Sequence, residues 1–224
     1  MRLHTAETQA TMTPEKALQF LKEGNGRFVQ NLKLQRNLLD QAAQYKYGQY
    51  PFAIILSCMD SRTSAELVFD QGLGDIFSVR VAGNVLNDDI IGSMEYACKA
   101  VGSKLIMVLG HSKCGATAGA CAEKKIGNLT QLLNKMQPSV EAVKKAMPTY
   151  EPNSKEFVDA VSKQHILITM DEILERSDIL RELYNNGEIG IVGAFHEIGS
   201  GAVKFLKEDL PSLTEERVEE LVCE

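Results

Sequence analysis

Leu105-Ile106-Met107-Val108-Leu109-Gly110-His111-Ser112-Lys113-Cys114-Gly115-Ala116 reads as a buried strand that ends in a polar corner. The apolar run Leu105 to Leu109 is too short for a helix, and the small residues after Cys114 suit a helix start. A histidine and a cysteine three apart at a strand-to-helix corner are placed to serve as two ligands of one metal ion. A second apolar run, Phe52 to Leu56, ends in Ser57-Cys58-Met59-Asp60-Ser61-Arg62. Two strand ends thus carry Cys58, His111 and Cys114, with the pair Asp60 and Arg62 alongside.

Working outward, strands alternate with helices. Ile76 to Val81 reads as a further strand, and Ile189 to Ala194 as a fourth. Gly199-Ser200-Gly201 turns into Ala202 to Leu206, a fifth strand in a hairpin. Helices are expected over Thr63 to Phe69, from Asp88 to near Gly102, and over Ile126 to Met147 with a break at Pro138. Lys155 to Tyr184 reads as helix closed by Asn186-Gly187, and Thr214 to Val222 as a last amphipathic helix. This pattern predicts an α/β fold: about four parallel strands plus an antiparallel edge strand, covered by helices. If the first and third strands are neighbours, Cys58 and His111 meet at a switch point beyond the strand ends.

Residues 1–48 form an N-terminal helical arm ahead of a single domain over 49–224. Thr13 caps and Pro14 begins a helix with Leu18, Leu21 and Phe28 on one face, interrupted at Gly24-Asn25-Gly26. This opening segment has no evident core of its own, so it is expected to be an arm that packs on something else, such as a second subunit.

The 224 residues are 44% hydrophobic and carry a net charge of −6, enough for a core and without a basic run for nucleic acid. No apolar run reaches the roughly 18 residues of a membrane span. The start lacks a secretory apolar region, and five cysteines is an odd count without disulfide spacing. These point to a cytoplasmic protein, with a signal removed before residue 1 left open.

Two thiolates and an imidazole suit zinc, one ion per chain. His165 and His196 read as structural or solvated, Cys98 and Cys121 as core, and Cys223 as uninvolved. Asp60 has two readings: a fourth ligand that closes the metal, or a carboxylate held by Arg62 that leaves a position open to water.

Cys58-x-Asp60-x-Arg62 followed by His111-x-x-Cys114-Gly115 resembles the β-class carbonic anhydrases. The resemblance covers about Gln49 to Gly119 at motif level. It implies a zinc enzyme that interconverts carbon dioxide and bicarbonate, in a homodimer or homotetramer built around the N-terminal arm. It implies that zinc-bound hydroxide attacks carbon dioxide, with Asp60 orienting the hydroxide and Arg62 holding Asp60. Two thiolates neutralise the metal's charge, so this water is expected to be less acidic than at a three-histidine site. Carried over in the same way, Gln49, Phe77, Ala82, Tyr96 and Gly115 bind or enclose substrate, with one aromatic wall from the neighbouring subunit. Ala82 stands where many members have valine. Ile55 stands where members inhibited by bicarbonate carry tryptophan, and the chain has none. Two other functions fit the same ligands: hydrolysis of carbonyl sulfide or carbon disulfide, and a non-catalytic zinc or bicarbonate sensor.

Overall fold

The computed structural model describes residues 3–149, 151 and 154–210. The expected helix Thr214 to Val222 and Cys223 lie outside these residues. Strands β1 (Ala53–Ser57), β2 (Ile76–Arg80), β3 (Leu105–His111), β4 (Gly190–His196) and β5 (Val203–Asp209) form one sheet in the order β2-β1-β3-β4-β5. The first four are parallel and β5 is antiparallel to β4, as the alternation predicted. Every residue of β1, β3 and β4 is buried. Sheets of this kind carry helices on both faces, which is why these strands read as unbroken apolar runs.

Helices α1 (Ala6–Ala10), α2 (Pro14–Val29), α3 (Leu38–Gln44) and α4 (Ala65–Val68) come from the first part of the chain, and α5 (Asp88–Glu95) follows β2. A π-helical turn, Tyr96–Val101, continues α5 and ends at Gly102, whose φ of 95° suits glycine. After β3 come α6 (Gly115–Cys121), α7 (Gly127–Asn134), α8 (Gln137–Ala146), α9 (Lys155–Arg176) and α10 (Asp178–Asn185). Pro138 sits in the first turn of α8, so the expected break falls between α7 and α8. On one face of the sheet, Ile54, Leu56, Ile106 and Val108 pack against Met94, Ile166 and Ile173. On the other, Ile55, Met107 and Val192 pack against Leu18, Leu21, Val68 and Phe69.

One expectation about the arm is overturned. Gly24-Asn25-Gly26 does not interrupt α2, which runs unbroken from Pro14 to Val29. A Cβ on Gly24 would stand 1.7 Å from the Phe69 carbonyl oxygen, so glycine there permits close packing. Asn25 is buried, and its Nδ2 donates to the carbonyls of Val68 and Gly201 while its Oδ1 accepts from the Val203 N–H. The apolar face of α2 packs within this chain, with Ala17, Leu18 and Leu21 in one cluster with residues of the sheet, while Leu32, Leu34, Leu38 and Leu39 of the arm stay exposed.

The helix expected over Lys155 to Tyr184 is two helices. Ser177 is extended (φ −126°, ψ 107°), and its Oγ accepts from the Leu180 N–H and donates to Glu95. A serine inside an apolar period gives no warning that it will cap rather than face solvent.

Candidate metal centre

The chain leaves β1, forms β2 on one side of it, then crosses to form β3 on the other. The end of β1 and β3 is therefore a switch point, and loops there diverge to leave a crevice. Ser57 pairs with Leu109, so Cys58, one step beyond β1, lies beside the end of β3. His111 is the last residue of β3, and Cys114 is the N-cap of α6. Lys113 makes the corner by taking a left-handed conformation (φ 56°), and its N–H meets Asp159 Oδ1 at 3.3 Å.

Donor atoms of Cys58, His111 and Cys114 all lie within 4.8 Å of one another, and all three residues are buried. His111 Nδ1 is 2.9 Å from the Ser112 carbonyl, which fixes the proton on Nδ1. That leaves Nε2 with a free lone pair, buried and without a hydrogen-bond partner. Cys58 Sγ accepts from the Gly83 N–H at 3.3 Å. A hydrogen bond from Cys58 holds the Cys114 thiol down to about 6 despite burial, helped by the Thr117 hydroxyl and the N–H groups of Thr117 and Ala116. The Cys58 thiol is pushed up by that same bond and then by burial. The two thiols are thus shifted in opposite directions, with Cys114 the more readily ionised. Two sulfurs and one free imidazole nitrogen fit zinc by number, softness and spacing.

Asp60 stands apart from these donors. Its Oδ1 accepts from the Arg62 N–H and Nε, both at 2.9 Å, and its Oδ2 from Nη2 at 2.7 Å. Asp60 is thus the carboxylate partner of Arg62. The bond to Arg62, opposed by partial burial, holds the carboxyl far below the usual range.

The other expected residues scatter. Ala82 begins the single turn Ala82–Asn84 that delivers the Gly83 N–H to Cys58. Gly115 opens α6, and a Cβ there would meet nothing within 4 Å, so space adjoins Cys114. Phe77 and Tyr96, with ring centroids 6.4 Å apart, line a cleft of about 650 Å³ along the β2 edge. Phe77 is in register with Ile54, three residues before the end of β1. Gln49 precedes β1, so the whole strand separates it from Cys58, and it lines a different cleft with Tyr45 and Gly74. One chain does not bring Gln49 to the donors.

Four contributors carried no sequence signal. Arg80 Nε donates to the Cys58 carbonyl at 3.1 Å and its Nη2 to that of Asp60 at 2.6 Å. Thr63 and His196 are buried beside the centre. His196, expected to be structural or solvated, is 2% exposed, and burial followed by the charge of His111 holds its imidazole down to about 4. Ser112 bridges the His111 corner to Glu197 at 2.8 Å.

Comparison with known proteins agrees with this geometry. A family model described as carbonic anhydrase matches residues 53–203, more than half of the chain. Carbonic anhydrase 2 of Mycobacterium tuberculosis is 35% identical over 91% of this chain and 97% of its own length. The carbonic anhydrase of Mycolicibacterium smegmatis is 34% identical over 85% and 92%. Among solved structures, a β-carbonic anhydrase of Sordaria macrospora, described as tetrameric, superposes with a TM-score of 0.66 at 25% identity, covering 75% of this chain and 89% of that one. The β-carbonic anhydrase CafA of Aspergillus fumigatus shares the fold, with a TM-score of 0.70 at 22% identity and 93% and 96% coverage. With the switch-point fold and the Cys58, His111, Cys114 cluster, these matches show that the chain belongs to the β class of the carbonic anhydrase family of enzymes.

Proposed function

We propose that this chain hydrates carbon dioxide reversibly to bicarbonate with one zinc ion held by Cys58 Sγ, His111 Nε2 and Cys114 Sγ. The observation that carries this is the buried, unpartnered His111 Nε2 within 4.8 Å of two cysteine sulfurs. Zinc in such a setting supplies a water acidified toward neutrality and a positive charge opposite an anionic product.

The chain's own residues do the rest. Asp60 stays ionised because Arg62 holds it, so it is too weak a base to take a proton near neutrality. Its role is to accept a hydrogen bond from the attacking water and fix that water's direction, while Arg62 keeps the carboxylate off the metal. The space beside Gly115 admits the substrate. Arg80 fixes the backbone of Cys58 and Asp60 through their carbonyls.

The active form is a homodimer. Supporting this are the edge of β2, unpaired among the described residues, and the open Phe77–Tyr96 cleft along it, with Tyr96 59% exposed. Gln49, Phe77 and Tyr96 reach a site only if a neighbour's crevice abuts that edge. Sedimentation velocity tests it: an active monomer contradicts the dimer. The described residues include no helix long and apolar enough to cross a membrane.

Stopped-flow hydration on metal-quantified protein tests the activity, with carbonyl sulfide and carbon disulfide assayed in parallel. The expected result is one zinc per chain and rapid hydration, with Cys114→Ser losing both. Full zinc occupancy in Cys114→Ser removes that sulfur from the ligand set. Faster turnover of a sulfur-containing substrate reassigns the reaction.

A further inference from the structure

Thr63 Oγ1 and His196 Nδ1 share a buried bond of 3.1 Å across 133 residues of sequence. Thr63 is fully buried and His196 2% exposed. Each end of this bond is tied to a different part of the centre. The Thr63 N–H donates to the Asp60 carbonyl at 3.1 Å, closing the turn that carries Asp60 and Arg62. His196 ends β4 in register with His111 on β3, and its carbonyl accepts from the Ser112 N–H at 2.9 Å. His196 therefore touches the His111 corner with its main chain and the Asp60 turn with its ring.

The Asp60 turn needs such a reference. Arg62, the partner of the Asp60 carboxylate, has a side chain 48% exposed, so it holds that carboxylate without fixing it relative to the sheet. Arg80 ties the turn to β2, on the far side of β1 from β3. Thr63–His196 ties it to β4, the other neighbour of β3. Threonine is β-branched and stiff at χ1, and a ring seated on a buried strand has little freedom, so the link transmits position well.

We propose that Thr63 and His196 form a positioning latch that sets the Asp60 carboxylate relative to the Cys58, His111 and Cys114 donors. This rests on the reading that Asp60 orients the attacking water. A catalytic group displaced by about an ångström costs up to ~100-fold in rate, so one buried bond that removes this freedom has a visible effect.

The test uses zinc-quantified Thr63→Val, Thr63→Ser, His196→Phe and the double variant Thr63→Val with His196→Phe. Two quantities are read: kcat and KM for hydration, and solvent exchange of the Arg62 Nε–H by NMR. In Thr63→Val, kcat should fall about tenfold with KM within about twofold, the scale of one buried hydrogen bond amplified by misplacement. Arg62 Nε–H exchange should quicken, zinc content should hold, and Thr63→Ser should restore both readouts. The double variant should be no worse than the poorer single one, since both break the same bond. If Thr63→Val does not fold, His196→Phe breaks the bond from the other side and is read in the same way. Wild-type kcat and exchange in a broken-bond variant overturn the latch. So does a rate loss that tracks a lowered urea midpoint and is not restored by serine. Absence of hydration by the native enzyme defeats the functional reading instead, and the exchange measurement still judges the latch.

Discussion

Asp60 and Asp70 both hold guanidinium groups, in opposite surroundings. Asp60 takes Arg62 through two short side-chain bonds, with its own side chain 18% exposed and that of Arg62 48% exposed. Asp70 is 3% exposed and holds two arginines: Arg27 Nε at 2.6 Å on Oδ2 and Arg36 Nη1 on Oδ1, with the Leu34 N–H at 3.3 Å. Arg36 also donates to the Asp70 carbonyl, and its side chain is only 9% exposed. The Asp70 cluster fastens α2 and the segment after it to the chain just past α4, where Asp70 and Arg36 have little access to water. The Asp60 pair sits near the candidate metal centre, with both partners partly open to water. Burial, more than the residue types, separates a structural clasp from an adjustable one.

The largest effect should come from breaking the buried clasp. Asp70→Asn leaves Arg36 buried without a charged partner and should cost about 3 kcal/mol of stability. Urea denaturation checks this, and the folded fraction should still bind one zinc per chain. A loss confined to activity would mean that the two clasps had been assigned the wrong way round.

Next comes the exposed clasp. Arg62→Ala should lower hydration kcat/KM by ~100-fold or more, the scale of losing a group that orients a catalytic partner. Zinc content and the urea midpoint should barely move. A crystal structure should show the freed Asp60 turned toward the three donors. Near-normal activity would reduce Asp60 and Arg62 to a surface ion pair.

Acid should distinguish the clasps as well. Burial alone would raise the Asp70 carboxyl, but the Arg27 and Arg36 hydrogen bonds outweigh it and hold the group below its usual range. Such a group binds its proton less readily folded than unfolded. Its contribution is fully present above the ordinary carboxylate value of about 3.9 and is lost as pH falls through the lowered one. The urea midpoint of the native chain should therefore drop below about pH 4, and that drop should be shallower in Asp70→Asn. In Arg62→Ala it should persist, because solvent screens most of what the exposed pair contributes.

The smallest effects lie within the buried clasp. Arg36→Lys loses a fork that reaches both a carboxylate oxygen and a carbonyl, and should cost about 1–2 kcal/mol. Arg27→Lys, at a side chain 28% exposed, should cost less than about 1 kcal/mol. Paired urea titrations rank them, and the reverse order would contradict the burial reasoning.

The amino-acid sequence by itself determined the class of sheet, the approximate place of each strand and the candidate donors. Buried parallel strands must be apolar throughout, and a soft-metal ligand must be one of few residue types, so Leu105 to Leu109 and the candidate donors Cys58, His111 and Cys114 are visible in one dimension. Asp60 and Arg62 are visible because they are neighbours in the chain. Only the tertiary structure decided which way Asp60 turned, that Asn25 joins α2 to Val68 and Val203, that Ser177 ends a helix, and that Gln49 lies beyond the far end of β1. It alone brought Arg80, Thr63 and His196 to the centre. An arginine, a threonine and a histidine are ordinary anywhere in a chain. What makes them part of a site is a hydrogen bond to a residue far off in sequence, and only strand register and burial create such a bond.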